Sequence, residues 1–406
     1  MELSSKSQGE WIEKPISQIA SIVGGGTPST SVSSYWGGEI SWFTPAEING
    51  SRKFVERSER RITEEGLKNS SAKLLPAGTI LLTTRASIGL RAILSVPAAT
   101  NQGFQSLIVN SDTDIQFVYY LLEIVQPELV RQASGSTFLE ISPRKLGEIC
   151  LHLPSSLAEQ KAIAAALSDV DTLLASLDAL IAKKRDMKKA AMQELLTGKT
   201  RLPGFNGEWK MFELGKEGEL QKENINPQQN PKVFFDEYSM PAFDEGRLPQ
   251  RVFGETMHSN RTRINGPVLL FNKLNVRQKR VWLVSKTNEN SVCSMEFLPY
   301  QTSKLDLELL RHILLTDEAT GFFESCSTGT SNSQKRITPS AFLEYEVNLP
   351  SDLSEQQAIA DVLSDMDAEL EALEARYAKV KDMKTGMMQE LLTGKTRLVS
   401  TGEQHG

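Results

Sequence analysis

The chain has 406 residues, 39% of them hydrophobic and 24% charged, which is typical of a globular protein with roughly two to four domains. It contains no apolar run of about 18 residues, so it predicts no membrane-spanning helix, and its N-terminal segment lacks the apolar centre of a secretory signal. The net charge of −6 excludes a chain that is basic throughout, as many nucleic-acid-binding proteins are.

The charge is unevenly distributed. Residues 350–406 hold 6 basic and 11 acidic side chains and so contribute −5 of the net charge. Residues 66–111 hold four basic and no acidic side chains, and residues 247–280 hold eight basic side chains and one acid, Glu255. The two basic stretches lie in separate large blocks of the chain, and together they favour anion binding.

The cysteines and histidines are scattered along the chain. Cys150, Cys293 and Cys326 have no metal-ligand spacing, so the sequence predicts no metal site and no bound cofactor. Isolated thiols are typical of the reducing cytoplasm, and we expect the protein to be cytoplasmic.

The first block, residues 1–153, reads as short strands separated by polar loops. A glycine-rich loop covers residues 24–29, and an aromatic and glycine-containing segment follows at residues 35–40. Residues 78–84 and 91–96 predict two strands joined by the loop 85–89. Another polar loop, residues 134–137, precedes Pro143.

Residues 154–202 predict one long helix, from about residue 157 to residue 196. Its apolar positions alternate in steps of four and three, which is the seam of a coiled coil. Ser156 and Glu159 predict a capping box at its start, and Gly198 predicts its end. The seam residues are Ile163, Leu167, Val170, Leu174, Leu177 and Ile181.

The second block, residues 203–349, has a similar frame with different loops. Residues 267–271 and 280–284 predict strands, and the loop between them, residues 272–279, is far more basic than its counterpart. A polar loop at residues 327–332 precedes Pro339. A common scaffold with two loop sets is what recognition of two different ligands would require.

The chain then repeats its long helix, in residues 350–406. Residues 154–202 and 350–398 align without a gap at an offset of 196, and 31 of 49 positions are identical. Asp352 before Glu355 offers a weaker capping box, and Gly394 predicts the helix end. The second seam is Ile359, Leu363, Met366, Leu370, Leu373, Tyr377 and Val380.

The apolar seam of each of the two similar helices must be buried, and the simplest partner for each seam is the seam of the other helix. We expect an antiparallel coiled coil that places the two blocks at opposite ends about a pseudo-two-fold axis. A parallel pair would crowd both blocks at one end. In the remaining alternative each helix packs only on its own block.

The repeated tripeptide Gly-Lys-Thr at residues 198–200 and 394–396 resembles part of a phosphate-binding loop. That loop needs a glycine five positions earlier, where this chain has Gln193 and Gln389, and it must begin a helix. Here the tripeptide ends a helix, so we reject nucleotide binding.

The polar loops supply the side chains that contact phosphates and base edges in DNA. In the first block the candidate DNA contacts are Thr27, Ser29, Tyr35, Trp36, Thr44, Arg85, Ser87, Arg91, Asn101, Gln102, Ser136 and Thr137. In the second block they are Arg261, Arg263, Asn272, Lys273, Asn275, Arg277, Lys279, Thr328, Thr330, Asn332, Lys335 and Arg336.

Several phrases resemble the specificity subunit of type I restriction-modification systems. They are EQKAIA at 159–164 and QELLTGKTRLPGF at 193–205, repeated as EQQAIA at 355–360 and QELLTGKTRL at 389–398. GGGTPST at 24–30, YWGGEISWFTPAEI at 35–48, TTRASIG at 83–89, TNQGF at 100–104 and NKLNVR at 272–277 are similar to phrases of its target recognition domains. The resemblance covers nearly the whole chain.

The resemblance implies an α+β fold with two mixed α/β target recognition domains, residues 1–153 and 203–349, joined by the two long helices. It implies that each domain reads one half of a bipartite DNA site and that the helices fix the spacer. It also implies two methyltransferase subunits docked on the helices, which would carry S-adenosylmethionine, and two motor-nuclease subunits added to that core. The chain itself would be non-catalytic.

Two other classes of protein compete with this interpretation. The first is an enzyme, either a nuclease or a methyltransferase, but no cluster of carboxylates with a nearby lysine stands out in the sequence as a metal nuclease site. A methyltransferase would need an Asn/Asp-Pro-Pro-aromatic motif, but Asn226-Pro227 is followed by Gln228, and Gly24-Gly25-Gly26 lacks the setting of a cofactor loop. A coiled-coil adaptor whose blocks bind proteins remains the second alternative.

Overall fold

The computed structural model describes residues 10–50, 52–85, 87–134, 139–329, 331 and 334–398. The chain divides into two compact units. Unit 1 comprises Met1–Leu177 and Arg376–Gly406, and unit 2 comprises Asp178–Ala375. Each unit therefore contains one block, the first part of one long helix and the last part of the other.

The first block and its long helix contain short strands and helices. The strands are β1 (Trp11–Pro15), β2 (Ala20–Gly24), β3 (Trp36–Phe43), β4 (Phe54–Val55), β5 (Arg60–Ile62), β6 (Ile80–Leu82), β7 (Arg91–Leu94), β8 (Ala99–Thr100), β9 (Gln105–Val109) and β10 (Cys150–Pro154). The helices are α1 (Ile16–Ile19), α2 (Glu64–Lys68), α3 (Ile115–Ile124), α4 (Gln126–Gln132), α5 (Pro143–Glu148) and α6 (Leu157–Leu195), with 3-10 turns at Ser33–Tyr35 and Pro45–Glu47.

Three sheets organise unit 1. Their strand orders are β2-β9-β6-β7-β4, β5-β3-β8 and β1-β10. The pair β1 and β10 is antiparallel, with Trp11 opposite Pro154, so the block begins and ends side by side immediately before α6. The predicted strands 78–84 and 91–96 are present as the shorter β6 and β7.

The second block and its long helix repeat this plan. The strands are β11 (Trp209–Glu213), β12 (Glu219–Leu220), β13 (Asn224–Ile225), β14 (Phe234–Tyr238), β15 (Gln250–Phe253), β16 (Arg261–Arg263), β17 (Val268–Asn272), β18 (Val281–Val284), β19 (Ser291–Ser294), β20 (Phe297–Gln301) and β21 (Glu346–Pro350). The helices are α7 (Leu214–Glu217), α8 (Met240–Gly246), α9 (Leu307–Leu314), α10 (Asp317–Ser325), α11 (Pro339–Leu343) and α12 (Leu353–Leu391), with 3-10 turns at Pro227–Gln229, Gly254–Thr256 and Val276–Gln278.

Unit 2 has the strand orders β12-β20-β17-β18, β13-β16-β19-β14-β15 and β11-β21. Its ribbon of β11 and β21 pairs Trp209 with Pro350, in the same register as the ribbon of unit 1. The predicted strands 267–271 and 280–284 are present as β17 and β18.

The long helices run antiparallel within each unit. In unit 1, Asp171 of α6 pairs with Lys384 of α12 at 2.8 Å, and Glu159, earlier in α6, pairs with Arg397 after the end of α12. In unit 2, Lys184 of α6 pairs with Glu369 of α12 at 2.6 Å, and Lys188, later in α6, pairs with Asp367, earlier in α12. Partner numbers fall on one helix as they rise on the other, which confirms the antiparallel expectation.

The predicted seam is buried, and it serves two purposes. Ile163 and Leu167 are fully buried among the core side chains of the first block and also among Met388 and Leu391 of α12. The helix therefore packs on its own block and on the other helix, so the two alternatives are combined. Leu174, Met366, Leu373 and Tyr377 are half-buried, and the other seam residues are buried.

The capping-box prediction was confirmed only in part: Ser156 and Asp352 each accept a backbone N–H at the start of their helix, but the two glutamates bind arginines instead. Ser156 does accept the N–H of Glu159 at 3.4 Å, but the Glu159 carboxylate accepts two hydrogen bonds from Arg397, at 2.6 and 2.7 Å. In unit 2, Glu355 likewise accepts two bonds of 2.6 Å from Arg201. We call each of these pairs a clasp. The two glutamates occupy the same position of the repeat, and so do the two arginines. In each clasp the glutamate of one copy binds the arginine of the other copy.

Candidate nucleic-acid interface

Three segments of the first block meet in a short ladder at its polar loops. Arg85 forms an isolated bridge with Glu140, and Glu140 forms another with Ser134. The N–H of Ile141 donates to the carbonyl of Thr84 at 3.1 Å and extends the ladder. Arg85 and Ser134, which begin the two predicted loops, therefore both pair with Glu140, which their positions in the sequence do not reveal.

The ladder of unit 1 continues into the glycine-rich loop. The N–H of Thr84 donates to Gly103 at 2.9 Å, and Thr27 Oγ1 donates to Gln102 Oε1 at 2.6 Å. The loop approaches so closely that a Cβ on Gly25 would lie 2.1 Å from the Asn101 carbonyl. Glycine is needed there because any side chain would push the loop away from residues 100–103.

Unit 2 builds the same ladder from different residues. Leu274 and Arg336 form one bridge, and Arg336 and Thr328 form the other. The N–H of Ile337 donates to the Lys273 carbonyl at 3.1 Å, and the N–H of Asn275 donates to Lys335 at 2.9 Å. Leu274 thus stands where unit 1 has Arg85, and Arg336 stands where unit 1 has Glu140.

The two ladders differ in charge. In unit 1 the Arg85 guanidinium is bound by Glu140 at 2.5 Å, so the ladder carries an internal ion pair. In unit 2 Arg336 binds Glu296 at 3.1 Å while Lys273 and Lys335 lie on the neighbouring segments. An anionic ligand would meet a more positive surface in unit 2 than in unit 1.

The remaining candidates of unit 1 lie at the two ends of β3 and in the loop after β6. Trp36 Nε1 donates to the Ser29 carbonyl at 3.1 Å, and Tyr35 is half-buried in the turn before β3. Thr44 caps the 3-10 turn that follows β3, since its N–H and hydroxyl both donate to Glu47. Ser87 is exposed in the loop after β6.

Some candidates have structural tasks that occupy their side chains. Arg91 is 8% exposed and binds the Tyr119 carbonyl at 2.6 Å and the Glu123 carboxylate at 2.6 Å. Asn272 is 3% exposed, and its Oδ1 accepts the N–H of Leu274. Burial removes these two residues from the set of accessible contacts.

Other candidates of unit 2 lie outside its ladder or are ion-paired. Arg261 and Arg263 lie on β16, in a different sheet from β17, and bind Glu237 at 2.6 Å and Glu223 at 2.9 Å. Arg277 binds Glu324 and Lys279 binds Asp317. Ser136, Thr137, Thr330 and Asn332 lie outside the described residues.

A polar network in each unit joins the block to the long helices. In both units the long helices contribute a serine, an aspartate and a lysine at equivalent repeat positions. The residues that the block contributes differ between the units. The members in unit 1 are Lys53, Gln116, Tyr120, Ser168, Asp171 and Lys384. The members in unit 2 are Lys188, Glu308, Arg311, His312, Ser364 and Asp367.

Burial shifts the titration of both networks. It lowers the pKa of Lys53 to about 8, against the attraction of Asp171, and raises the pKa of the Tyr120 hydroxyl, which donates to Asp171 at 2.5 Å. Burial and then Arg311 lower the pKa of His312 to about 4. His312 is therefore neutral in the folded protein near pH 7.

This neutral histidine predicts a loss of stability in mild acid. The unfolded chain protonates His312 near pH 6.5, but the folded chain resists protonation until about pH 4, so its contribution is complete above pH 6.5 and is lost between those values. Between pH 6.5 and pH 4 the wild-type protein should lose up to about 3 kcal/mol of stability through this histidine. We therefore expect the melting temperature of His312→Gln to fall less steeply with decreasing pH than that of the wild type. Glu308 and Asp367, whose pKa values are also lowered, stay in the variant as internal controls. If plots of melting temperature against pH run parallel for the wild type and His312→Gln, the prediction is contradicted.

The structure also bears on metal and membrane binding. Within the described ranges, no group of His, Cys, Asp and Glu side chains is placed to hold a metal ion. In the same part of the chain, none of the helices combines the length and hydrophobicity needed to cross a bilayer.

The fold and the paired ladders define a protein with two similar blocks, each completed by parts of two long helices. The model of the type I restriction modification DNA specificity domain matches the chain twice, over residues 8–183 and 206–382. The chain belongs to this family.

Known proteins show the same relationship. The specificity subunit of the type I restriction enzyme MjaIX from Methanocaldococcus jannaschii is 41% identical over 168 residues, 41% of this chain and 39% of that protein. The EcoR124I/EcoR124II specificity subunit from Escherichia coli is 32% identical over 183 residues, 43% of this chain and 45% of that protein. Each alignment thus spans less than half of the relative.

The fold has been seen in a crystal structure of the S subunit of a type I restriction-modification system from M. genitalium. It matches with a TM-score of 0.61 at 14% identity, covering 96% of this chain and 98% of that one. At this identity the similarity establishes the fold alone.

Proposed function

We propose that this chain is the DNA-specificity subunit of a type I restriction-modification complex and that each block reads one half of a bipartite site. The observation that carries the proposal is the pair of ladders. The same backbone bridges join three loops in each unit, but Arg85, Ser134 and Glu140 in one unit are replaced by other residue types in the other. Equal scaffolds with unequal side chains are suited to reading two different base sequences.

The long helices would set the spacer between the half-sites. Each has 39 residues, which corresponds to a length of about 60 Å at 1.5 Å per residue. The domain boundaries at residues 153, 202 and 349 belong to the same proposal, because they fall at the ribbons that close each block and at the ends of the helices.

The helices also carry a face suited to a partner present in two copies. On α6 this face consists of Ala182, Lys183, Asp186 and Met187, and on α12 the same residue types recur as Ala378, Lys379, Asp382 and Met383. We name it the docking face. Met187 is 44% exposed and Met383 is 50% exposed, although methionine is more often buried. An identical exposed face, once in each unit, fits two methyltransferase subunits.

The remaining parts of the proposal concern chemistry and location. The methyltransferase subunits would bind S-adenosylmethionine and carry out methyl transfer, and motor-nuclease subunits would join the assembly. The chain itself would be non-catalytic. A cytoplasmic location is supported by Cys150, Cys293 and Cys326, which are free thiols in the described structure.

The test is selection of DNA by the assembled complex. We expect the full chain, purified with its methyltransferase partner, to enrich a split motif from a pool of random duplexes. Exchange of residues 203–349 for the corresponding block of another family member should replace one half of the motif and leave the other. No enrichment of any motif would favour a protein-binding adaptor, and methyl transfer by the isolated chain would favour an enzyme.

A further inference from the structure

In unit 1 an arginine on an outer strand lies over the ring of a tryptophan. The order β5-β3-β8 places β5 at one side of β3. Arg60 of β5 holds its guanidinium carbon 3.7 Å from the ring centre of Trp36 and 5.3 Å from that of Trp42. The two indoles meet edge to face at 5.1 Å, so they form a rigid seat for the guanidinium.

Unit 2 repeats this arrangement with other aromatic residues. Strand β15 ends the order β13-β16-β19-β14-β15, and its Arg251 lies 5.0 Å from the ring centre of Phe234 on β14. Phe234 stacks in turn on Phe253 at 3.8 Å. Phe234 is 41% exposed and Phe253 is 39% exposed, so this aromatic pair is not part of a core.

The strands that carry the two stacks are topologically equivalent. Strand β3 is antiparallel to β5 and parallel to β8, and β14 is antiparallel to β15 and parallel to β19. The local sequences differ, Arg-Arg-Ile in β5 against Gln-Arg-Val-Phe in β15. An arginine over an aromatic ring thus recurs at one place in the fold.

The chemistry of the stack leaves the arginine ready to bind an anion. The aromatic ring attracts the guanidinium without using any of its N–H donors, so all five remain able to bind an anion. Both Arg60 and Arg251 are exposed, and neither forms an ion pair with another described residue. The adjacent Arg61, by contrast, lies 3.5 Å from Glu39.

In unit 1 the stack adjoins the candidate DNA surface. Trp36 Nε1 donates to Ser29, and Trp42 Nε1 donates to the Gly26 carbonyl at 2.8 Å, which ties both indoles to the glycine-rich loop. That loop contacts Gln102 through Thr27. The contacts therefore run without interruption from Arg60 to the loops that we propose read bases.

We propose that Arg60 and Arg251 are phosphate clamps that grip the backbone of duplex DNA beside each half-site without reading its bases. The proposal rests on the proposed function. Arginine held by an aromatic ring loses less freedom on binding than a free one, and its paired donors match phosphate oxygens.

The test is the salt dependence of DNA binding by the assembled complex. Arg60→Gln and Arg251→Gln should each weaken binding about 3–10-fold and reduce the slope of log affinity against log salt by about one. The loss should be equal on the selected site and on a duplex of unrelated sequence, with the selected motif unchanged. Arg60→Lys keeps the charge and loses the planar stack, and it should keep most of the slope.

Lys216→Gln is the matched control, because it removes one charge from an exposed site that is paired with Glu213. If the arginine variants behave like this control, or if they change the selected bases, the proposal is overturned. Affinity for the unrelated duplex can be measured even if the wild-type complex selects no split motif. A wild-type complex that selects no motif would contradict the proposed function, whereas arginine variants with the affinity and salt slope of the control would contradict the clamps alone. Melting temperatures within the range of the control exclude loss of folding as the cause.

Discussion

Replacing Arg397 with alanine is expected to lower the melting temperature of unit 1 by about 5 °C or more, because it leaves a buried carboxylate without its partner. Glu159 is 3% exposed and receives two hydrogen bonds from the Arg397 guanidinium, at 2.6 and 2.7 Å. An unpaired buried charge is among the costliest defects that a single substitution makes. The clasp of unit 2, between Arg201 and Glu355, should respond in the same way.

Thermal unfolding followed by circular dichroism would measure this effect. Lys395→Ala is the control, since Lys395 is exposed in the same tail and forms no ion pair with another described residue. Adding Glu159→Gln to Arg397→Ala should recover part of the loss, because it removes the buried charge. Equal melting temperatures for Arg397→Ala and Lys395→Ala would contradict the importance of the clasp.

Replacing Met383 with glutamate should remove one methyltransferase subunit from the assembly, and adding Met187→Glu should remove the second. Methionine is enriched in protein interfaces, and a buried charge in its place should weaken binding of that subunit about 30-fold or more. Glutamate is a good helix former, so α12 and α6 should persist. Native mass spectrometry of the mixed subunits would count the copies bound.

Thr385→Glu provides the control for the docking face. Thr385 is exposed two residues further along α12, and it is replaced by Lys189 at the same position of α6. It points away from Met383, because two residues correspond to a turn of about 200°, although it lies on the same side of the helix as Ala378. Loss of a subunit with this control as well would show that Met383 is not the contact that holds the subunit.

The sequence predicted the long helices best. A seam in steps of four and three, without an internal proline, is a local pattern, and it placed α6 at 157–196 against the observed Leu157–Leu195. Gly198 and Gly394 end the helices with φ values of +69° and +75°. The strands were predicted in the right places, but β6, β7 and β18 are shorter than expected and β17 is shifted by one residue, because strand ends depend on which neighbours pair with them.

The contacts between distant segments were beyond the sequence. Glu159 has the spacing of a capping box, and nothing local indicates that its partner is Arg397, 238 positions away. The ladders likewise join loops that only the folded block brings together. Arg60 and Arg251 were missed as candidates because their significance lies in the ring beneath each guanidinium, which a scan for basic loops does not detect.

The division of the chain between the units has a consequence for synthesis on the ribosome. Unit 1 begins first but needs residues 376–398 to finish its core, because Met388, Leu391 and Leu392 pack among the side chains of the first block. All of unit 2 emerges in between, which takes about 10–40 s at the usual pace of translation. The first block therefore stays incomplete until residues 376–398 have been synthesised. A chain that stops before them would lack part of the unit 1 core, although the first block itself was made early.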